Sequence, residues 1–239
     1  MQDTWDHRWE GPTATDPKEL IHSEHWPRIR THLSPPGRVL EAGCGLARWV
    51  RFLADQGFEA FGIDFSRTAI DRSLEAWPDL RLTVGDLRAM PYEDAFFHGI
   101  VSFGAIEHDE AGPDSALAEF RRVLAPGGTL YCTVPCMNQV RRLGLMALQD
   151  RVVCNPTIRR LTGRGPEVAF YEFVFEPAEY RDVMRRAGFD LLDLVPLSPD
   201  VQFAGDDPTR LRWRAVQALH RRFPWMLAHM MAAVCRKPT

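Results

Sequence analysis

A glycine-containing loop and two aspartates stand where they could bind a nucleoside together. The loop follows the apolar run Val39–Gly43, and Gly43 and Gly45 permit a tight turn and a close approach of a ligand to the backbone. Asp64 and Asp86 each end a later apolar run. A carboxylate in such a place can accept two hydrogen bonds from a ribose diol. The pattern predicts a nucleoside site built from three strand ends.

The same residues argue against other nucleotide and metal sites. A dinucleotide fingerprint needs a third glycine where Arg48 stands, which disfavours a nicotinamide dehydrogenase. No G-x-x-x-x-G-K-[ST] sequence is present, which disfavours a triphosphate. His22 and His25 have a spacing that could hold a metal on a helix, but they lack a third ligand, and we interpret them as a solvated face. We predict no metal site.

A parallel sheet is needed to bring these residues together, and the hydrophobic pattern predicts one. Strands separated by helices indicate parallel pairing with right-handed crossovers. We therefore predict an α/β fold: a doubly wound, Rossmann-like sheet of seven strands, mostly parallel, with an antiparallel last strand and helices on both faces. The predicted strands are Val39–Gly43, Ala60–Asp64, Leu80–Asp86, Gly99–Gly104, Thr129–Val134, Asp190–Leu197 and Met230–Arg236.

Helix signals lie between most of these strands. Ser66 is a suitable N-cap for the helix after the second strand, and Pro177 opens a late helix that runs to Ala187. The pattern of the N-terminal residues predicts one helix around Pro17–Leu33. The stretch Leu87–His98 is too short and irregular to predict a helix.

Composition limits the compartment and the partners. The five cysteines are an odd number without a Cys-x-x-Cys pair, so we predict no disulfide framework, no zinc site and a cytoplasmic location. The formal net charge of −3 gives no global electrostatic attraction to nucleic acid. No apolar stretch is long enough to predict a membrane span, and the first residues do not resemble a secretory signal.

Four motifs in order resemble those of the class I S-adenosylmethionine-dependent methyltransferases, most closely the branch that includes the ubiquinone and menaquinone biosynthesis methyltransferases. The first three are VLEAGCGLARWVRFLADQGFEAFGIDFS (39–66), VGDLRAMPYEDAFFHGIVSFGAIEH (84–108) and RRVLAPGGTLYCTVP (121–135). The fourth, EFVFEPAEYRDVMRRAGFDLLDL (172–194), resembles the late helix and strand of the family. Any one motif is a weak signal, whereas four in the family's order are specific.

The resemblance implies S-adenosylmethionine as the cofactor and assigns roles to single residues. Asp64 takes the ribose hydroxyls, Phe65 packs on the adenine, and Asp86 with Leu87 reads the adenine edge. Ala47 replaces the third glycine of the usual motif, which we expect to be tolerated because the backbone there is helical. The methionine part of the cofactor and its sulfonium are expected to contact Glu41, Ala42, Gly43, Cys44, Gly45, Phe103 and Gly104.

The reaction that the resemblance implies is methyl transfer by in-line displacement to an oxygen, nitrogen or carbon nucleophile of a small molecule. A base is needed only if that nucleophile must lose a proton. His108 is the candidate base because imidazole titrates near neutral pH, and Glu107 would contact the cofactor or orient His108. The alternative is that His108 only braces its loop.

The resemblance also implies a domain organisation. Residues 1–36 form an N-terminal helical segment that closes over the cofactor, with Trp26 contacting it, and residues 37–239 form one methyltransferase domain. Within this domain, the arginine-rich segment 136–170 is expected to be a lid over the acceptor site. An acidic or phosphorylated acceptor and a merely solvated helix face both explain its arginines.

Two rival functions stay open. An RNA methyltransferase is compatible with a C-terminal stretch, Arg210–Lys237, that has basic residues and no acidic ones, although Ser102–Ala105 lacks the Asn/Asp-Pro-Pro-aromatic loop of enzymes that methylate base amino groups. We therefore expect no nucleic-acid partner. A non-catalytic module that binds S-adenosylmethionine is the second rival. The sequence does not indicate an oligomeric state.

Overall fold

The structure, a computed structural model, describes residues 16–139, 172–198 and 211–239 of the chain. Predictions that fall on residues 1–15, 140–171 and 199–210, including most of the expected lid, lie outside the described residues. Across the described ranges, no helix has the length and apolar character needed to cross a membrane.

The strands form one sheet in the order β3-β2-β1-β4-β5-β7-β6. Strands β1 to β5 pair in parallel, whereas β7 lies between β5 and β6 and is antiparallel to both. The predicted seven-stranded, doubly wound sheet is confirmed. The strands are β1 (Arg38–Ala42), β2 (Glu59–Asp64), β3 (Arg81–Val84), β4 (Phe97–Phe103), β5 (Leu124–Pro135), β6 (Asp190–Pro196) and β7 (Met230–Arg236).

The helices follow the sequence signals with one exception. The single helix predicted for Pro17–Leu33 is wrong, because the hydroxyl of Ser23 accepts a hydrogen bond from Trp26 N at 3.2 Å and a new helix begins there. A 3-10 turn at Pro17–His22 precedes this break. The α-helices are α1 (Trp26–His32), α2 (Arg48–Asp55), α3 (Arg67–Ala76), α4 (Asp114–Val123), α5 (Pro177–Arg186), α6 (Leu211–Arg222) and α7 (Pro224–Leu227).

Two hydrophobic cores cover the two faces of the sheet. Successive strand residues point to opposite faces, so Leu40 of β1 packs with helices α4 and α5, while Val39 packs with α1, α2 and α3. The neighbouring strands continue the same alternation. Because both faces are buried, the only places where polar ligand-binding groups can gather on the central strands are the strand ends.

Candidate active site

The loop after β1 turns sharply beside the loop after β4. The amides of Gly43 and Cys44 both donate to the carbonyl of Ile63, at 2.9 and 3.0 Å, which bends the chain away from the strand direction. Gly43 has a φ of +76°, and a Cβ built on it would lie 2.6 Å from the Cβ of Ala105. Both the backbone conformation and the space therefore require glycine at this position.

The carboxylate of Asp64, at the end of β2, holds this loop. It accepts hydrogen bonds from Gly45 N at 2.8 Å and from Ser66 N at 2.9 Å. Asp64 is 8% exposed, and its buried charge is stabilised by these backbone amides. It thereby joins the loop after β1 to the start of α3, and it also lines the cavity described below.

Glu41 lies beneath the loop rather than in it. Its Oε2 accepts a hydrogen bond from Val50 N at 3.0 Å, in the first turn of α2. Burial raises the pKa of Glu41 well above its ordinary value, and the nearby charge of Asp64 raises it further. The position of Glu41 makes it a support of the helix that follows the loop.

Asp86, after β3, forms an ion pair with Arg88, a residue outside the predicted site. Arg88 donates from Nη2 to one carboxylate oxygen at 2.7 Å and from Nε to the other at 3.0 Å, and its guanidinium also lies 3.5 Å from Asp109. The side-chain hydrogen bonds from Arg88 hold the pKa of Asp86 below its usual value. The signal for this pair was available, because an arginine two residues after an aspartate can reach back to it.

A cavity of about 300 Å³ opens at these strand ends. It lies where β1 is flanked by β2 and β4, the point at which the strand order reverses. One wall, which we call the glycine-loop side, is formed by Gly43, Asp64, Phe65, Asp86 and Leu87. The opposite wall includes Phe103, Gly104 and His108, and we call the segment Phe103–His108 the β4 side.

Eight of the predicted site residues thus meet at one cavity, and the others lie around it. Ala42 and Cys44 are buried in the two cores, and burial raises the pKa of the Cys44 thiol well above its ordinary value. Trp26, expected to close over the cofactor, packs edge-to-face on Phe52 with ring centroids 5.0 Å apart. Glu41, Gly45 and Glu107 are likewise not among the cavity-lining residues.

The β4 side is formed by a tight turn. Gly104 has a φ of +64°, and a 3-10 turn follows at Ile106–His108. Glu107 is 1% exposed, and its Oε2 has no hydrogen-bond partner within residues 16–139, 172–198 and 211–239. Burial raises the pKa of Glu107 to about 8, and the nearby Glu172 contributes in the same direction.

An aromatic cluster supports the cavity from the N-terminal segment. Phe103 stacks on Trp49 with ring centroids 4.7 Å apart. His25 packs edge-on against Phe103 at 5.2 Å, and its Nδ1 is hydrogen-bonded to the hydroxyl of Tyr131 at 2.8 Å. His25, rather than Trp26, therefore connects the N-terminal segment with a cavity-lining residue, and no local signal in the sequence indicated this.

Ala47 differs from the expectation of a helical backbone. Its φ of 50° and ψ of 29° place it in the left-handed region, where it precedes the first residue of α2. The family's glycine would adopt this conformation without strain, whereas an alanine is strained there. The fold keeps the left-handed turn because Ala47 N still donates to Cys44 O at 2.8 Å.

Part of the chain is similar to known methyltransferases. Residues 39–128 match the family described as "Methyltransferase domain". A protein of Mycolicibacterium smegmatis named "Probable S-adenosylmethionine-dependent methyltransferase" is 28% identical over 160 residues, which are 66% of this chain and 53% of that protein. Within residues 39–128, the chain is therefore similar to a methyltransferase domain.

Other relatives of this methyltransferase domain differ in their named substrates. The demethylmenaquinone methyltransferase of Renibacterium salmoninarum is 35% identical over 97 residues, which are 40% of each chain. The "Probable tRNA methyltransferase 9B" of Mus musculus is 29% identical over 127 residues, which are 51% of this chain and 28% of that protein. The chain spans about half or less of the length of these relatives.

A solved structure extends the likeness of the fold beyond the methyltransferase domain. It is the methyltransferase in the Haloferax volcanii complex with the Trm112 methyltransferase activator, with a TM-score of 0.64 and 21% identity. The alignment covers 99% of this chain and 97% of the other. At this identity the comparison shows a shared fold.

Proposed function

We propose that the protein transfers a methyl group from S-adenosylmethionine to an oxygen, nitrogen or carbon nucleophile of a small molecule. The observation that carries this proposal is the cavity at the strand-order reversal, where the glycine loop and both predicted aspartates meet. Ligands of open α/β sheets bind at this place. The volume of about 300 Å³ is at the lower end of the range for small-molecule pockets.

The residues present fit the cofactor. Gly43 lets its loop pack directly against Ala105 at the cavity, where a Cβ would lie 2.6 Å from the Cβ of Ala105, and Asp64 fixes this loop. A carboxylate has about four acceptor positions, so the two backbone hydrogen bonds to Asp64 are compatible with contacts to a ribose diol. Phe65 and Leu87 would hold the adenine from the same wall.

The protein contributes to the reaction mainly by positioning the acceptor nucleophile against the methyl group. S-adenosylmethionine, when bound, supplies a methyl group already activated by its sulfonium. Holding a nucleophile in line with that group lowers the barrier by several kcal/mol, up to about 7–11 in the best intramolecular examples. We assign this orienting role to the β4 side, with the sequence-based role of His108 as general base kept as a prediction.

A small acceptor is favoured by the net charge of the chain. The net charge of −3 gives the whole chain no general attraction for a polyanion. Relatives of similar identity are named for a quinone precursor and for tRNA, so likeness alone does not choose between them. The arginine-rich segment 136–170, proposed as the acceptor lid, would then select an acidic small molecule.

Calorimetry of the full chain with S-adenosylhomocysteine tests the cofactor assignment. The wild type should bind, and Gly43→Ala should weaken binding at least about tenfold because its Cβ would overlap the adjacent Ala105 and push the two cavity-lining loops apart. Gly112→Ala is the matched control, since Gly112 also has a positive φ of +95° but meets nothing within 4 Å. Absence of S-adenosylhomocysteine binding by the wild type would overturn the proposal.

Two further measurements separate the rivals. Methylated product from a panel of phenols, amines and acids would support the small-molecule acceptor, and binding without turnover on any acceptor would favour the non-catalytic module. Filter binding of RNA at two salt concentrations tests the other rival. Tight binding that weakens steeply with salt would favour an RNA substrate.

A further inference from the structure

Three potential metal-ligating residues meet at the β4 side of the cavity. Glu107, His108 and Glu172 each offer one ligand atom, and these atoms all lie within 4.8 Å of one another. We propose that Glu107, His108 and Glu172 bind a divalent cation at the edge of the cavity. The inference rests on the proposed function only for the role of the cation in catalysis.

Glu107 provides the observation that points to a ligand. Its side chain is almost completely buried, and Oε2 has no hydrogen-bond partner among the residues that the structure describes. A buried carboxyl oxygen without a partner is unfavourable, and a second acidic group beside it makes ionisation of Glu107 more costly. A cation between Glu107 and Glu172 removes both costs, because each carboxylate then gains a positive partner.

Backbone hydrogen bonds bring the segment that carries Glu172 close to Glu107. Phe173 N donates to the carbonyl of Glu107 at 2.9 Å, which joins the segment that carries Glu172 to the 3-10 turn. Phe175 N donates to Pro135 O at 3.0 Å, and Met137 N donates to Phe175 O at 2.8 Å. The first bond holds the segments of Glu107 and Glu172 side by side, and the other two fasten the Glu172 segment to the end of β5.

The donor set indicates the class of cation. Two carboxylates and one imidazole suit hard or borderline divalent ions such as Mg²⁺, Mn²⁺, Fe²⁺ or Zn²⁺, whereas soft ions prefer sulfur. Three protein ligands leave coordination positions open for water or an acceptor. His108 also lines the cavity, so an acceptor bound there is close to the cation site.

The cation site would define the acceptor as an oxygen compound. A hydroxyl bound to a divalent cation has a lowered pKa and releases its proton to water, leaving the oxygen as the nucleophile. An acceptor with two adjacent oxygens could occupy two open positions. In this arrangement His108 is a ligand rather than the general base that the sequence suggested.

Electron paramagnetic resonance of Mn²⁺ alone, added to the full wild-type chain, tests the site. The signal of free aqueous Mn²⁺ should fall until one equivalent is bound. Glu107→Gln and Glu172→Gln should each raise the Kd at least about tenfold. Glu110→Gln is the matched control, because Glu110 is an exposed carboxylate in the turn just after His108, and its Kd should equal that of the wild type.

The outcomes separate this inference from the proposed function. Nucleoside binding without any loss of the free Mn²⁺ signal would refute the cation site and leave the cofactor assignment intact. Mn²⁺ binding without nucleoside binding would support the cation site and refute the cofactor assignment. Since Glu107→Gln could unfold the chain, Glu172→Gln at a partly exposed position carries the test independently, and an unchanged Kd in that variant would also refute the site.

Discussion

The two walls of the cavity differ in how their charged groups are stabilised. On the glycine-loop side, Asp64 and Asp86 are both partnered, Asp64 by backbone amides and Asp86 by Arg88. On the β4 side, Glu107 is more deeply buried than either, yet its Oε2 has no hydrogen-bond partner in the described part of the chain. The carboxylates of the first wall therefore have their partners without a ligand, whereas the second wall contains a buried oxygen without one.

This difference indicates which wall is preformed and which one is built for something that binds. A preformed wall lowers the cost of binding, because its groups are already in place. Destabilised polar groups persist at sites where function requires them. Removing a hydrogen-bonded carboxylate from the glycine-loop side should therefore reduce the stability of the fold. Removing the unpartnered oxygen of Glu107 from the β4 side should increase it.

Replacing Asp64 by asparagine should have the largest effect. The amide oxygen can accept only one of the two backbone hydrogen bonds in the right geometry, and the amide nitrogen then faces an N–H donor. Each charge-assisted bond is worth about 1.5–3 kcal/mol, so we expect the free energy of unfolding to fall by about 3 kcal/mol. Urea denaturation measures this, and a loss below about 1 kcal/mol would mean that Asp64 does not hold the loop.

Replacing Glu107 by methionine should instead raise the free energy of unfolding. Methionine has a similar length and removes the buried, unpartnered oxygen, so we expect the chain without added metal to gain about 1–2 kcal/mol of unfolding free energy. Glu110→Met on the exposed turn is the control and should change stability by less than about 0.5 kcal/mol. Marked destabilisation by Glu107→Met would show that the β4 side is as fully satisfied as the other wall.

The two walls also differ in how far the sequence predicts them. The glycine-loop side comes from residues that directly follow successive strands, so apolar periodicity and glycine spacing were enough to place Gly43, Asp64 and Asp86 together. The cluster on the β4 side depends on Glu172, which reaches Glu107 only through backbone pairing between segments distant in the chain. Local patterns carry no information about such pairing. The left-handed Ala47 was missed for a similar reason, since alanine favours helix and only the turn imposes its conformation.

The pair of Asp86 and Arg88 should contribute little to stability, and only above a certain pH. Arg88 lowers the pKa of Asp86 below its ordinary value of 3.8, so the stabilisation is present above that value and is lost as the pH falls through the lower, folded-state pKa. Both side chains are about half exposed, and we expect Asp86→Asn to cost about 0.5 kcal/mol at pH 7. Thermal unfolding of both proteins from pH 7 to pH 2 should show the difference disappearing in acid, and a difference that grows there would contradict the ion pair.

Replacing Ala47 by glycine should have the smallest effect, because three contributions nearly cancel. Relief of the left-handed conformation gains about 1–2 kcal/mol, while the greater freedom of glycine in the unfolded chain costs about 0.4–1 kcal/mol. Loss of a fully buried methyl group costs about 0.8 kcal/mol more. We expect Tm to differ little from that of the wild type, in contrast to Gly43→Ala, where strain and steric overlap with Ala105 act in the same direction. A clear rise in Tm for Ala47→Gly would mean that the glycine-loop side stores strain, and that the contrast between the two walls is smaller than their hydrogen bonds indicate.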